Sequence, residues 1–122
     1  MGTCMVMFGA RPDERIEARV LAGVLERLKG LLFSDGGCGA VLLERCGSIH
    51  TFGMRFVIDV ALVSREGEVV RSERCVGPGR VVRSRRARWV LERPASNAPW
   101  PAAGMQVERS DAEGTAAGAI GR

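Results

Sequence analysis

The sequence predicts an α+β domain that is mostly β: a compact antiparallel sheet, barrel-like or sandwiched, with one N-terminal helix packed on it. Three observations lead there. Apolar residues between positions 12 and 32 recur at helical spacing. From position 40 onward the pattern changes to short apolar runs bounded by Gly and Pro, the signature of strands and tight turns. A chain of 122 residues with 46% hydrophobic and 26% charged content is sized for one core and ordinary in composition.

Pro12 suits the first position of a helix, and Asp13 and Glu14 place negative charge at the positive end of its dipole. Ile16, Val20, Val24 and Leu28 then recur every fourth residue, and Leu21, Leu25 and Leu32 widen the stripe. A helix is expected over 12–32, weakened by Gly23 and Gly30 and followed by the turn Ser34-Asp35-Gly36-Gly37. Strands are expected at 40–43 and at 56–63, the most apolar run of the chain. Arg65-Glu66-Gly67 reads as a hairpin loop leading to an antiparallel partner at 69–70, with glycine where positive φ is needed. Gly77-Pro78-Gly79 ends that partner, and short strands follow at 81–82, 88–91 and 105–107. The Pro-rich stretch 94–101 is a loop. One domain is expected over 1–110. The Gly, Ala and Thr of 111–122 carry too little apolar surface to offset ordering entropy, so this stretch is expected to be a disordered tail.

Tyr is absent, so the core should be aliphatic, with Phe52, Phe56 and Trp89 as its large pieces. Lys29 is the only lysine, and the net charge of +4 is carried by arginine, a compositional bias with little functional weight by itself. The arginines from Arg71 to Arg93 are opposed only by Glu73 and Glu92, a positive strip that reads as a solvated face. Trp89 is its only aromatic and is better placed in the core, which argues against nucleic acid as a partner. No apolar run approaches the roughly 20 residues that span a bilayer, so a soluble, cytoplasmic domain is expected. Cys4, Cys38, Cys46 and Cys75 form no Cys-x-x-Cys pair and read as free thiols. No cofactor is expected, and a zinc site lacks its usual ligand spacing.

Arg27-Leu-Lys-Gly-Leu-Leu32, Ser48-Ile-His-Thr-Phe-Gly-Met-Arg-Phe56 followed by Ile58-Asp59, and Val90-Leu-Glu92 occur in that order. On these motifs the chain resembles the domain-of-unknown-function family numbered 192, with the central motif the most specific. The resemblance implies a compact, mostly β domain with a short helix, widespread in prokaryotes and with no established activity. Two positions depart from the family pattern. Val57 stands where members usually carry Pro, and Glu108-Arg109 stands where they carry a Gly-Asp turn.

The stretch from Cys46 to Asp59 holds the only His, a Cys and an Asp flanked by apolar residues. Asp59 must have a partner, because an unpaired carboxylate in a buried strand costs several kcal/mol. It either accepts hydrogen bonds from backbone amides or an Arg and fixes the loop before its strand, or it lines a pocket. Arg55 is too far along one extended strand to serve, about 13 Å away. Gly47 and Gly53 favour a bent loop around His50, and Phe52 and Met54 suit one apolar wall. The expected function is a non-catalytic module that holds a small molecule or peptide through His50, Phe52, Met54, Arg55 and Asp59. The alternative is a metal-dependent or thiol hydrolase-like site built on Cys46, His50 and Asp59.

Overall fold

The computed structural model describes residues 2–21 and 39–111. Nine strands and one short 3-10 turn follow in order: β1 (Thr3–Met7), the turn Pro12–Glu14, β2 (Arg15–Leu21), β3 (Ala40–Glu44), β4 (Ser48–His50), β5 (Ile58–Ser64), β6 (Val69–Val76), β7 (Val81–Arg83), β8 (Ala87–Pro94) and β9 (Glu108–Asp111). Seven strands form one sheet in the order β6-β5-β8-β3-β2-β1-β9, and β4 and β7 form a separate ribbon. Every pairing is antiparallel except β2 with β3.

The mostly β architecture stands, but the expected helix does not. Among the described residues only Pro12–Glu14 is helical, as a single 3-10 turn, and Arg15–Leu21 is a strand paired on both sides. Residues 22–32 of the expected helix lie outside the described residues. The misreading has a physical source. A spacing of four fits a strand as well as a helix, so Ile16 and Val20 share a face in either. The decisive signal is the strict alternation of charged Arg15, Glu17 and Arg19 with inward Ile16 and Ala18.

Two apolar clusters occupy opposite faces of the large sheet. Inside its curl lie residues from β1, β2, β3, β8, β5 and β6, among them Val6, Leu42, Val63, Trp89 and Leu91. On the other face Val41, Leu43, Val60, Leu62 and Val90 pack with Val82 of the ribbon and with Met54. Central strands β3, β5 and β8 are therefore buried on both faces, which is why β5 is buried at every position and shows no polar alternation.

The half-barrel curl brings the outer strands within reach of one segment. Gly104 donates to the Val69 carbonyl (2.8 Å), Val69 to Met105 (2.9 Å) and Val107 to Gly67 (2.9 Å), so residues 104–107 line the edge at the start of β6. The chain then continues directly into β9, which pairs with β1 at the opposite edge. Residues 104–107 thus hydrogen-bond the start of β6 at one edge, and Glu108–Asp111 forms the other edge beside β1. The last strand is expected at 105–107 but forms at Glu108–Asp111, leaving Gln106 with only an isolated bridge to Glu68. Asp111, read as the first residue of a tail, belongs to this strand.

Gly67 sits in the tight β5–β6 connection at φ +90°, as the hairpin reading requires. Residues 104–107 press directly on it. A Cβ there would lie 2.9 Å from the Val107 carbonyl oxygen, so only glycine fits.

Candidate functional site

Asp59 lies in β5 with no exposed surface and is directly opposite Arg93 of β8. Its Oδ2 accepts from Arg93 Nε at 2.9 Å and from the Ser96 amide at 3.4 Å, and its Oδ1 accepts from the Cys75 amide at 3.0 Å. Cys75 has φ +57° and sits where β5 and β6 lose register, so the carboxylate holds a bulge in place. Arg93 also donates to the carbonyls of Ala98 (2.7 Å) and Pro99 (3.2 Å) and lies 4.6 Å over the ring of Trp100. Trp100 Nε1 in turn donates to the Val60 carbonyl at 3.3 Å. Arg74 binds the same loop through Ser96 and Ala98. The carboxylate thus fixes the bulge at Cys75 and the loop at 96–100 rather than the loop before its own strand, and Arg93 is withdrawn from the solvated strip.

A second group of the same composition stands elsewhere in the sheet. Arg109 donates to Glu44 at 2.7 Å and lies 5.1 Å over the ring of Trp89. Both tryptophans of the chain therefore stack with an arginine that is itself held by a carboxylate. Each group ties the C-terminal part of the described chain to the sheet, the first at 96–100 and the second at Arg109. Glu108-Arg109 here opens β9.

The other proposed site residues lie elsewhere. Ser48–His50 is a strand rather than a bent loop, and it pairs with Val81–Arg83. The pairing continues at both ends, with Thr51 donating to the Arg80 carbonyl at 2.8 Å and Ser84 to that of Gly47 at 3.0 Å. His50 and Val81, and Ser48 and Arg83, are then the closely spaced non-hydrogen-bonded pairs, about 4.5 Å apart at Cα. Ile49 and Val82 turn inward to the second apolar cluster, which leaves His50, Ser48, Val81 and Arg83 on the outer face.

Phe52, expected in the core, is 54% exposed. Its ring stacks on His50 with centroids 5.3 Å apart, and its amide donates to His50 Nδ1 at 3.2 Å. Thr51 anchors the turn from below: fully buried, its hydroxyl donates to the Gly77 carbonyl at 2.7 Å and accepts from the Arg80 amide at 2.8 Å. Gly53, at φ +86°, lets the chain reverse after it. Met54 is buried in the second apolar cluster, and Arg55 is exposed. Of the five residues singled out, His50 and Phe52 come together, Arg55 is on the surface, Met54 packs inward, and Asp59 belongs to the arginine clamp.

Cys46, His50 and Asp59 do not form one hydrogen-bonded set. Cys46 Sγ donates to the Ser48 carbonyl at 3.1 Å, His50 is bound to the Phe52 amide, and Asp59 is held by Arg93. Among the described residues, no group of three His, Cys, Asp or Glu side chains is arranged to hold a metal ion. Sequence reasoning missed Val81 and Arg83 as neighbours of His50, because their proximity depends on a pairing across more than 30 positions.

No described helix is long and apolar enough to cross a membrane. No family model matches the chain, and no curated protein matches it. Two solved structures share its fold. One is a protein of unknown function from Novosphingobium aromaticivorans DSM 12444, with 16% identity, coverage of 87% of this chain and 83% of that one, and a TM-score of 0.65. The other, from Sinorhizobium meliloti 1021, is described as a "putative transcription regulator" and shows 13% identity, coverage of 88% and 92%, and a TM-score of 0.69. Identities this low speak for the fold alone, a curled β domain common to the three chains.

Proposed function

We propose that this domain is a non-catalytic binding module whose recognition surface is the outer face of the β4–β7 ribbon. The observation that carries the reading is the exposed His50–Phe52 stack, set beside Val81 and Arg83 on a ribbon whose inner face is anchored in the core. Val81 is 46% exposed, so apolar surface continues across the ribbon from the aromatic pair. Arg55 and Arg80, in the adjoining turns, are exposed as well. Such a surface suits a small anionic molecule or a peptide segment, with the rings providing contact area and the guanidinium groups providing charge. The dispersal of Cys46, His50 and Asp59 among separate hydrogen-bond partners supports binding over hydrolysis. Membership of family 192 is part of the same proposal and rests on the central motif, which supplies His50, Phe52 and Arg55.

The test is a two-dimensional NMR titration of the labelled domain with a set of aromatic carboxylates and phosphates and with short acidic peptides. Shifts are expected to concentrate at His50, Phe52, Arg55, Val81 and Arg83. A set of ligands that moves only resonances elsewhere would remove the ribbon from consideration.

A further inference from the structure

Six of the described arginines sit in ion pairs. Arg11, Arg71, Arg74, Arg86, Arg93 and Arg109 are each bound to a carboxylate. Arg55, Arg80, Arg83 and Arg85 are exposed, and no acidic side chain among the described residues pairs with them. These four fall in the two segments that build the ribbon and its turns. Those segments, 45–57 and 77–86, contain no Asp or Glu. Exposed arginines without a carboxylate partner also occur elsewhere, at Arg15, Arg19, Arg65 and Arg88, so what sets the ribbon apart is that both of its segments lack any acidic residue beside an exposed aromatic pair.

From this we infer that the occupant of the ribbon is a single-stranded nucleic-acid segment, an inference that rests on the binding reading above and names its ligand class. The structure supplies what the bare arginine strip lacks, an aromatic platform. Strand pairing places His50 opposite Val81, and the stacked Phe52 ring stands open to solvent beside it. A base laid on Phe52 puts its sugar-phosphate backbone within reach of the flexible guanidinium arm of Arg83, which shares the outer face. Arg83 lies two residues, about 7 Å, along β7 from Val81. Base stacking on an exposed ring is tolerant of sequence, and arginine contacts to phosphate supply the salt-sensitive part of the affinity. A duplex would hide its base faces from the platform, which favours unpaired strands. Addition of a peptide strand at the β7 edge is disfavoured, because Arg71 Nη1 already donates to the Arg83 carbonyl at 3.1 Å.

The test uses the full chain and fluorescence polarisation with three probes: a labelled twelve-residue oligothymidylate, the same length of duplex, and polyglutamate. Oligothymidylate is expected to bind most tightly. Its log affinity should fall with log salt at a slope of roughly −2 to −3, for three or four phosphates at about −0.7 each. Phe52→Ala should weaken it about 5- to 100-fold, the range that loss of one stacked base spans, while Phe52→Tyr retains it. Both substitutions are at an exposed ring, so the fold is retained and circular dichroism verifies it. Polyglutamate or duplex binding as tightly as the single strand, sensitive to Arg83→Glu but indifferent to Phe52→Ala, would overturn the nucleic-acid inference and leave the ribbon as a general anion-binding surface. Failure of all three probes together with a silent ribbon in the NMR titration would overturn both readings.

Discussion

Replacing Asp59 by Ala removes the acceptor of three hydrogen bonds: Arg93 Nε at 2.9 Å, the Cys75 amide at 3.0 Å and the Ser96 amide at 3.4 Å. Removing one member of a buried ion pair typically costs about 3–5 kcal/mol, because the other charge stays buried without its counterpart. Here the lower end applies. Arg93 keeps the carbonyls of Ala98 and Pro99 and the face of Trp100, which partly compensate the charge of a residue that is only 9% exposed. The expected loss is about 3 kcal/mol, or roughly 10–15 °C in Tm for a domain of this length. Urea unfolding followed by tryptophan fluorescence measures it, and the midpoint should fall at constant m. Asp59→Asn keeps an acceptor and should lose less. The double change with Arg93→Met should cost well below the sum of the two singles, because the stranded charge is gone. A loss below about 1 kcal/mol for Asp59→Ala, or strict additivity in the cycle, would refute the clamp. So would loss of ligand binding at a temperature where the variant is still folded, since Asp59 would then belong to the recognition surface.

Three further outcomes follow from the same geometry. Trp100→Phe removes the hydrogen bond to Val60 and weakens the ring under Arg93, and should cost about 1–2 kcal/mol in urea unfolding, with Trp89 as the remaining fluorophore. Gly67→Ala must hold alanine at φ +90° with its Cβ against the Val107 carbonyl, so a loss of about 1–3 kcal/mol is expected, with faster hydrogen exchange at Val69 and Val107. The hydrogen bond from Arg11 holds the Asp13 carboxyl below its ordinary range, with charge attraction to Arg11 adding to it and desolvation opposing it. Whatever Asp13 adds to stability is present above the ordinary carboxylate pKa and is lost as pH falls through its depressed folded value. An NMR titration of the Asp13 carboxyl carbon should shift upward in Arg11→Ala; an unchanged titration would mean that Arg11 does not set it.

The strand pattern from position 40 onward was legible because short apolar runs between Gly and Pro have few other solutions. The runs at 40–43, 81–82 and 88–91 lie within β3, β7 and β8, and 56–63 overlaps β5 from Ile58 onward. The Arg65-Glu66-Gly67 hairpin was legible for the same local reason, a glycine at positive φ between two apolar strands. Arg15–Leu21 was misread because a spacing of four satisfies both periods, although its charged residues alternate strictly. Thr3–Met7 carries no strand signal in the sequence, a run of five residues with no bounding turn before it, and in the fold only Cys4 and Val6 of it are buried.

At the site, the sequence by itself determined that Asp59 needs a partner, because a carboxylate among Ile58, Val60 and Ala61 has no other way to remain buried. Which arginine holds Asp59, and which face of the domain Phe52 occupies, were decided by tertiary structure alone. Arg93 lies 34 residues away and becomes the direct neighbour only through the β5–β8 register. Val81 and Arg83 reach His50 only through the ribbon pairing. Local propensity depends on a few neighbouring residues, whereas cross-strand partners depend on how the whole sheet buries its apolar faces, and a one-residue slip would turn each of these side chains to the opposite side.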